Sequence, residues 1–391
     1  MPQRFDLVII GSGPAGSACA VTAAQAGLTV ALIDKSAFPR EKLCGGGVTG
    51  RSVRYMKEIF GMGPDTKLFL PSTHMRLAYD GRIISDTADA PAIQMTMRRD
   101  FDDALHARAV AAGVQVFAPA RLATIAPDSA TVTLADGRQL QADLLIGADG
   151  ANSQVAKAIF GRAFDPAQIG FGLEVELAPH PGVEIPTEID LGVVDWGYGW
   201  VFPKRESVTL GVGGIHVRNT NMKERFHAYL RHHRPDALQG TNLRCKGAFL
   251  PTGAYRKIPG RDRTLLVGDA AGLVDPVTGE GIAWALKSGQ LAAQAAAEAL
   301  AGTGPDAALG TYRRRLRYIH REMDAARRIR TLIYSRPVKP YFPRAVERNP
   351  LMGRTYLRLL AGELDYADLG TRTLFRLAGR IGGSFLPRHA A

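Results

Sequence analysis

Three glycines stand at the spacing G-x-G-x-x-G in Gly11-Ser-Gly13-Pro-Ala-Gly16, and Asp34 closes the next apolar run. The chemistry of that arrangement is nucleotide binding. Gly11 permits a tight turn, Gly13 lets a pyrophosphate approach the backbone, and Gly16 lets a helix pack closely on a sheet. Asp34 is placed to hold an adenosine ribose, and an acid there disfavours a 2′-phosphate. A second run, Gly268-Asp-Ala-Ala-Gly272 with Asp275-Pro276 and Thr278-Gly-Glu-Gly281-Ile282, leads into a helix start. Free N–H groups and the positive end of a helix dipole there await an electron-rich partner. Asp269 can accept hydrogen bonds from polyol hydroxyls. A third run, Gly147-Ala-Asp149-Gly-Ala-Asn-Ser153, sets Asp149 and small residues at another junction of strand, turn and helix.

Other residues are equipped for chemistry of a different kind. Cys44 precedes the triplet Gly45-Gly46-Gly47, which is poor material for a strand or helix and good material for laying backbone against a flat ring. Arg98, at a helix start, is a candidate for a phosphate or adenine-side contact, with an exposed arginine the alternative. In Trp196-Gly-Tyr198-Gly-Trp200-Val-Phe202-Pro-Lys204 the aromatics at 198, 200 and 202 alternate onto one face of a strand. Such a stripe is either core or the wall of an apolar substrate pocket.

The elements that must position these residues follow from periodicity. Phe5–Ile10 and Leu28–Ile33 read as strands flanking an Ala-rich helix over 17–26. Asp80-Gly81 is a hairpin signal in a strand pair from about Lys67 to Ser85, and a helix runs from Arg98 through Ala112. Val114–Ile125, Thr131–Leu134 and Gln141–Ile146 read as strands, and Thr264–Val267 as a short strand before a long helix over Ile282–Ala301. From about Phe164 to Lys257 alternating strands dominate, with one clear helix, Met222–His232. Leu309, Tyr312, Leu316, Ile319, Met323, Ala326 and Ile329 keep helical spacing among arginines at 313, 314, 315, 317, 321, 327, 328 and 330, which predicts one amphipathic helix. A shorter helix is expected over Leu351–Leu360. The fold class expected is α/β: a Rossmann-type nucleotide domain of residues 1–163 with 258–301, an inserted β-rich substrate domain of 164–257 with part of 67–97, and a C-terminal helical region, 302–391.

A chain of 391 residues, 46% hydrophobic, can bury a large core. Its 43 glycines suit an α/β enzyme with many tight turns. Cys19, Cys44 and Cys245 are odd in number and far apart, so neither a disulfide framework nor a metal cluster is indicated, and a reducing cytoplasm is the expected compartment. No apolar run reaches the length of about eighteen residues that a membrane span needs. The formal charge of +12 is concentrated in roughly the last ninety residues and comes with no nucleic-acid-binding motif, so no nucleic-acid partner is expected. A basic face suits anionic lipid headgroups better, which gives an expectation of peripheral membrane contact.

With these residues assembled, the chain resembles the geranylgeranyl reductase family of flavoproteins, within the larger group that looks like p-hydroxybenzoate hydroxylase. The three nucleotide runs are shared with the whole group and imply FAD. Pro39 through Cys44 to Gly47 resembles that family's segment of cysteine and glycines, and Tyr198 to Lys204 resembles its aromatic strand. The resemblance implies that Ala15, Asp34, Cys44, Gly45, Gly47, Arg98, Leu122, Asp269, Gly281 and Ile282 contact FAD, beside Gly11, Gly13, Gly16 and Asp149 of the nucleotide runs. Where the chlorophyll-pathway branch commonly has proline before the cysteine, Leu43 stands here.

The activity implied is reduction of carbon–carbon double bonds in a prenyl chain on a lipid or pigment precursor. The electron donor would be NADPH or a reduced ferredoxin, since no separate nicotinamide domain is visible. An isolated alkene accepts hydride poorly, so protonation should accompany transfer, with Tyr198 and Trp200 facing the cationic carbon and Cys44 a candidate for the proton or for shaping the pocket. The competing readings are a flavin monooxygenase or halogenase of the same fold, and a prenyl-lipid carrier with structural FAD. Halogenases carry a Trp-x-Trp-x-Ile-Pro pattern, in which Tyr198 and Phe202 replace two positions.

Overall fold

The computed structural model describes residues 2–180, 182–238, 243–252 and 254–369. Its first layer is an eight-stranded sheet. The parallel strands Gln3–Ile10, Val30–Ile33, Gln115–Phe117, Gln139–Gly147 and Thr264–Leu266 form its centre, with Gln3–Ile10 in the middle. These central runs are almost wholly apolar, as strands covered on both faces must be. Antiparallel strands Leu122–Ala126 and Thr131–Leu134 extend Gln139–Gly147.

Helices Pro14–Gln25 and Ile282–Glu298 pack on this sheet and on each other. Their contact is close because Gly289 has no side chain, and a Cβ there would collide with the Ala15 carbonyl. One core joins the sheet to these helices and reaches Tyr312, Ile319 and Met323.

The second layer is a seven-stranded sheet in the order Lys246–Leu250, Gly170–Leu177, Val208–Ile215, Tyr198–Pro203, Thr187–Asp190, Met75–Tyr79, Arg82–Thr87. All its pairings are antiparallel except Thr187–Asp190 with Met75–Tyr79. One face buries Val175, Leu210 and Val212 under helix Met222–His233, and another core joins Met75, Leu77 and Ile189 to the C-terminal helices.

Several elements depart from the sequence reading. The Val114–Ile125 run is two strands, Gln115–Phe117 and Leu122–Ala126, because Pro119 supplies no N–H to a ladder. The pair expected over 67–85 is a short strand Leu70–Ser72 plus the hairpin Met75–Tyr79 and Arg82–Thr87. The helix from Ile282 ends at Glu298 and continues as a wider turn, Ala299–Thr303. The single amphipathic helix expected through Leu309–Ile329 is two, Ala308–Arg315 and Arg317–Tyr334, broken where Leu316 takes ψ −8°. Its apolar side is not free: Tyr312, Leu316, Ile319, Met323 and Ala326 are fully buried, crossing from the first core into the second. The C-terminal region expected to run to 391 lies outside the described residues beyond Leu369.

Candidate active site

The register of the parallel sheet brings the nucleotide runs together. Ile10 lies opposite both Gly147 and Ile33, and Gly147 opposite Leu266, so Gly11, Asp34, Ala148 and Gly268 leave the sheet along one edge. Ligands of parallel α/β sheets bind at such carboxyl ends. Gly11 has φ +101°, and a Cβ there would collide with the Ala148 carbonyl. Gly16 stands apart from the other two glycines of this run. It does not line the cleft, and a Cβ on it would collide with the Gly11 carbonyl, so what it contributes is the close packing of helix on turn.

A cleft of about 610 Å³ opens at this edge and passes between the two sheets. Gly11, Gly13, Ala15, Asp34, Cys44, Gly45, Gly47, Arg98, Leu122, Asp149, Asp269, Gly281 and Ile282 line it, and so do Tyr198 and Trp200. Sequence positions from 11 to 282 thus converge on one space.

The polar groups along it are individually engaged. Asp34 accepts the N–H groups of Ser12 and Ser36, both at 2.9 Å, with Arg40 Nε at 3.7 Å. Arg98 is buried, not an exposed helix-start residue, and its guanidinium grips Asp102 bidentately at 2.7 and 2.9 Å. Burial opposes its charge, but Asp102, with Cys44 beside it, outweighs that and holds the guanidinium pKa above its ordinary value. Asp149 lines the cleft, but its carboxylate caps a helix: it accepts the Ser153 hydroxyl at 2.5 Å and the Gln154 and Val155 N–H groups at 2.6 and 3.2 Å. Asp269 is half-buried, with Oδ1 3.6 Å from where a Cβ on Gly281 would sit.

Helix Ile282–Glu298 begins without a side-chain cap at Gly281, and both Gly281 and Ile282 line the cleft, which puts the uncapped helix start at its wall. The N–H groups of that helix start, the glycine-lined turn at Gly11–Gly13 and the acid at Asp34 fit the pyrophosphate, adenosine and flavin ends of FAD.

Beyond the nucleotide runs, the cleft is walled by strand Tyr198–Pro203. Tyr198 and Trp200 rings lie 6.1 Å apart and Trp200 and Phe202 6.4 Å apart. The Tyr198 hydroxyl donates to the Thr278 carbonyl at 2.7 Å, and burial raises its pKa. The Trp200 indole lies over Gly211 and Gly213 of the next strand, where any Cβ on Gly211 would meet it. A Cβ on Gly45 would fall 2.6 Å from the Phe202 ring and 3.4 Å from Trp200 Nε1. The glycine triplet therefore packs directly on the aromatic stripe.

Two residues of the cleft escape motif reading. Glu174, buried and in cross-strand register with Gly211 and through it with Trp200, accepts the Cys44 N–H at 3.0 Å through Oε1, while its Oε2 has no partner. Burial pushes its carboxyl pKa up, against Lys204 and the Cys44 N–H. The signal was the alternation Gly170, Gly172, Glu174, which puts a lone acid on a face otherwise of glycines. Arg330, one of a series of arginines, is the one turned inward.

Glu280, in the cleft wall, accepts hydrogen bonds from Thr49 and from Arg51 behind it, and Arg51 also reaches Asp365 at 2.5 Å. Burial opposes the Arg51 charge, yet Glu280 and then Asp365 prevail and raise its pKa. Tyr366 donates to Asp275 at 3.0 Å, and Glu322 accepts the Tyr366 and Ala367 N–H groups at 2.7 and 3.0 Å. The segment at 361–369 is thereby tied under the loop that ends at Ile282.

Comparison with known proteins agrees with this geometry. The FAD binding domain family matches residues 4–168 and 220–326. A menaquinone reductase of Mycolicibacterium smegmatis is 30% identical over 315 residues, covering 75% of this chain and 76% of that protein. A geranylgeranyl diphosphate reductase of Rhodobacter capsulatus is 30% identical over 313 residues, covering 75% of each. The solved flavin-dependent brominase Bmp2 shares the fold at TM-score 0.72 and 22% identity, covering 97% of this chain and 99% of that one, which says nothing of the reaction. With the glycine runs meeting at one sheet edge and two thirds of the chain matched by an FAD-binding family, this protein belongs to the geranylgeranyl reductase family of FAD-dependent oxidoreductases.

Proposed function

We propose that this protein saturates carbon–carbon double bonds of a geranylgeranyl or related prenyl chain carried by a lipid or pigment precursor. The observation that carries the reading is the closure of the Cys44–Gly47 segment on the aromatic strand, which makes an apolar, glycine-floored slot at one end of the FAD cleft. Gly11, Gly13, Ala15, Asp34, Arg98, Leu122, Asp149, Asp269, Gly281 and Ile282 hold FAD in this reading, with Cys44, Gly45 and Gly47 against its ring. Residues 1–163 with 258–301 make the FAD unit, 164–257 with part of 67–97 the substrate unit, and the rest the helical region.

Reduced FAD, when bound, supplies a hydride; NADPH or a reduced ferredoxin supplies its electrons. The chain's own residues do the rest. The aromatic wall orients the prenyl chain and excludes water. Tyr198 and Trp200 present ring faces to the more substituted alkene carbon as positive charge develops there, worth about 0.5–2 kcal/mol each. Glu174 holds a proton on Oε2 and gives it to the alkene carbon that does not take the hydride, so one π bond is exchanged for two C–H bonds. Cys44 positions that acid through its backbone N–H. The protein works in the cytoplasm, meeting its substrate at anionic membrane surfaces.

The test is to incubate the dithionite-reduced holoprotein with geranylgeranyl diphosphate, a digeranylgeranyl glycerophospholipid and menaquinone, and to weigh the products by mass spectrometry. Prenyl chains that gain hydrogen in pairs, and keep it in air, support the reading. A menaquinone product that returns to its starting mass in air would make the ring the acceptor. Products that gain oxygen or halogen would make the protein an oxygenase or halogenase.

A further inference from the structure

One end of the cleft carries a buried cation that, among the described residues, is paired with no carboxylate. Arg330, on helix Arg317–Tyr334, is 7% exposed. Its guanidinium donates to the backbone carbonyls of Trp196 at 2.7 Å and Thr252 at 3.3 Å, and its Nε–H is buried without a partner. Among the described residues it forms no ion pair. The nearby acids are committed elsewhere: Asp275 to Tyr366 and the Val277 and Thr278 N–H groups, Asp195 to Arg225 at 3.4 Å and Lys339 at 3.5 Å.

Trp196 itself is held in the left-handed region, φ +57°, where a bulky side chain is strained. Its indole stacks near Tyr334 and lies under two guanidiniums, Arg218 at 5.1 Å and Arg330 at 5.7 Å. The Tyr334 hydroxyl is also buried without a partner. Burial pushes the Arg330 pKa down; Tyr334 and Asp275 oppose this, and Arg327 and Arg218 add to it.

A buried, unpaired cation is costly, and two carbonyls satisfy only part of a guanidinium. An anion brought by a ligand relieves the cost, and a phosphate matches the fork of an arginine. From this end the stripe of Tyr198, Trp200 and Phe202 leads to Gly45, about 13 Å along the strand from Tyr198 to Phe202 at a rise of ~3.3 Å per residue.

The geometry points to an anion subsite at the Trp196 end of the cleft, in which Arg330, assisted by Arg218, binds the phosphate ester of an amphipathic substrate whose chain lies along the aromatic stripe. The inference rests on the prenyl-reductase reading and selects its substrates: those with a phosphate ester at the head over neutral prenyl alcohols and quinones. The ester could come from a prenyl diphosphate or from a prenyl glycerophospholipid.

The experiment uses the FAD-loaded full chain with wild type, Arg330→Gln, Arg330→Lys and, as an exposed variant that leaves the core intact, Arg218→Gln. Two readouts are taken: KM and kcat for geranylgeranyl diphosphate, digeranylgeranylglyceryl phosphate and geranylgeraniol, and binding of inorganic pyrophosphate followed by tryptophan fluorescence. Arg330→Gln should raise KM for a phosphate ester about ten- to a hundredfold, as loss of charged hydrogen bonds does, with kcat and geranylgeraniol little changed. Arg330→Lys should recover part of it and Arg218→Gln should show a smaller rise. Whichever ester is affected identifies the source.

Pyrophosphate should bind the wild type and not Arg330→Gln. An equal rise for geranylgeraniol, or pyrophosphate binding indifferent to both arginines, overturns the subsite. If Arg330→Gln does not fold, Arg218→Gln and pyrophosphate competition against the ester in the wild type decide. If no prenyl compound is reduced, the reductase reading falls while the pyrophosphate measurement still tests the subsite.

Discussion

Glu174 is the residue whose protonation the reaction should report. Its carboxyl faces Cys44, with Lys204, Glu176 and Lys246 as the charged groups around it, and Lys204 is itself occupied by Glu176 at 3.1 Å. Because burial raises its folded pKa above the unfolded value of about 4.3, the stability it contributes is complete below that value and is lost as pH rises through the folded one. The proton on Oε2 is lost over the same rise, so turnover should fall there too. Glu174→Gln should flatten both slopes, keep FAD, and slow single-turnover oxidation of the reduced flavin by substrate about a hundredfold or more, the usual weight of a general acid. A variant that turns over at the wild-type rate with the same pH profile would remove Glu174 from the chemistry. Trp200 poses a different question, since it is 7% exposed and borders the cleft while also belonging to the second core. If it acts on developing charge, Trp200→Leu should lower kcat more than it raises KM, with FAD retained. If it serves packing alone, Trp200→Ala should melt early, by about 3–5 kcal/mol, and shed FAD. Melting, flavin occupancy and single-turnover rates on the same proteins separate the two.

At the scale of elements, the helices over 308–334 do two jobs on two sides. The apolar stripe from Tyr312 to Ala326 is buried in the cores and is not available to insert into a bilayer, while Tyr318 is exposed. Among the described residues no helix is long and apolar enough to cross a membrane. What the pair exposes is Arg313, Arg314, Arg315, Arg317, Arg321, Arg327 and Arg328. Arg315 is partly neutralised by Glu298 at 2.8 Å. Contact with a membrane would then be electrostatic, about 1 kcal/mol for each arginine near an anionic surface, screened over about 8 Å at physiological salt. The protein should co-sediment with phosphatidylserine vesicles at low salt, leave them at high salt, and ignore phosphatidylcholine vesicles. Absence from the anionic pellet at low salt would count against the surface reading.

Across the whole molecule, the Arg51 network joins three distant stretches: helix Gly50–Phe60, the loop before Ile282, and the segment at 361–369. Arg51 is 3% exposed and its ring neighbour is Trp284, 4.7 Å away on the long helix. Removing one member of a buried pair leaves the other charge uncompensated, at a cost of about 3–5 kcal/mol. Arg51→Met should therefore lower Tm by several degrees and make FAD easier to wash out, while Arg51→Met with Glu280→Gln should recover part of the loss. Calorimetry and flavin retention on a desalting column measure both. A single variant as stable as wild type would mean that this network holds nothing together.

The nucleotide runs were legible in the sequence because their chemistry is local: a glycine that must turn, an acid at a strand end and a helix start all lie within a few residues of one another. The alternation of Tyr198, Trp200 and Phe202 was legible for the same reason, since a strand fixes facing at every second residue. What periodicity cannot carry is which face is covered and by what. Glu174 reads locally as an ordinary polar position in Gly170–Leu177; it becomes a buried acid because Cys44, 130 residues earlier, donates to it. Arg330 is indistinguishable in type from the arginines before it and acquires its character from Trp196, 134 residues away. Asp149 lines the cleft as its run implied, and what the run did not disclose is that its carboxylate also holds the start of the next helix through Ser153, Gln154 and Val155. One apolar stripe promised one helix, yet the chain breaks at Leu316 although Tyr312 before it and Ile319 after it lie in the same core. The sequence determined the elements and the cofactor they serve, since both depend on short-range spacing; the tertiary structure alone decided which charges are buried, because desolvation is set by contacts between residues far apart in the chain.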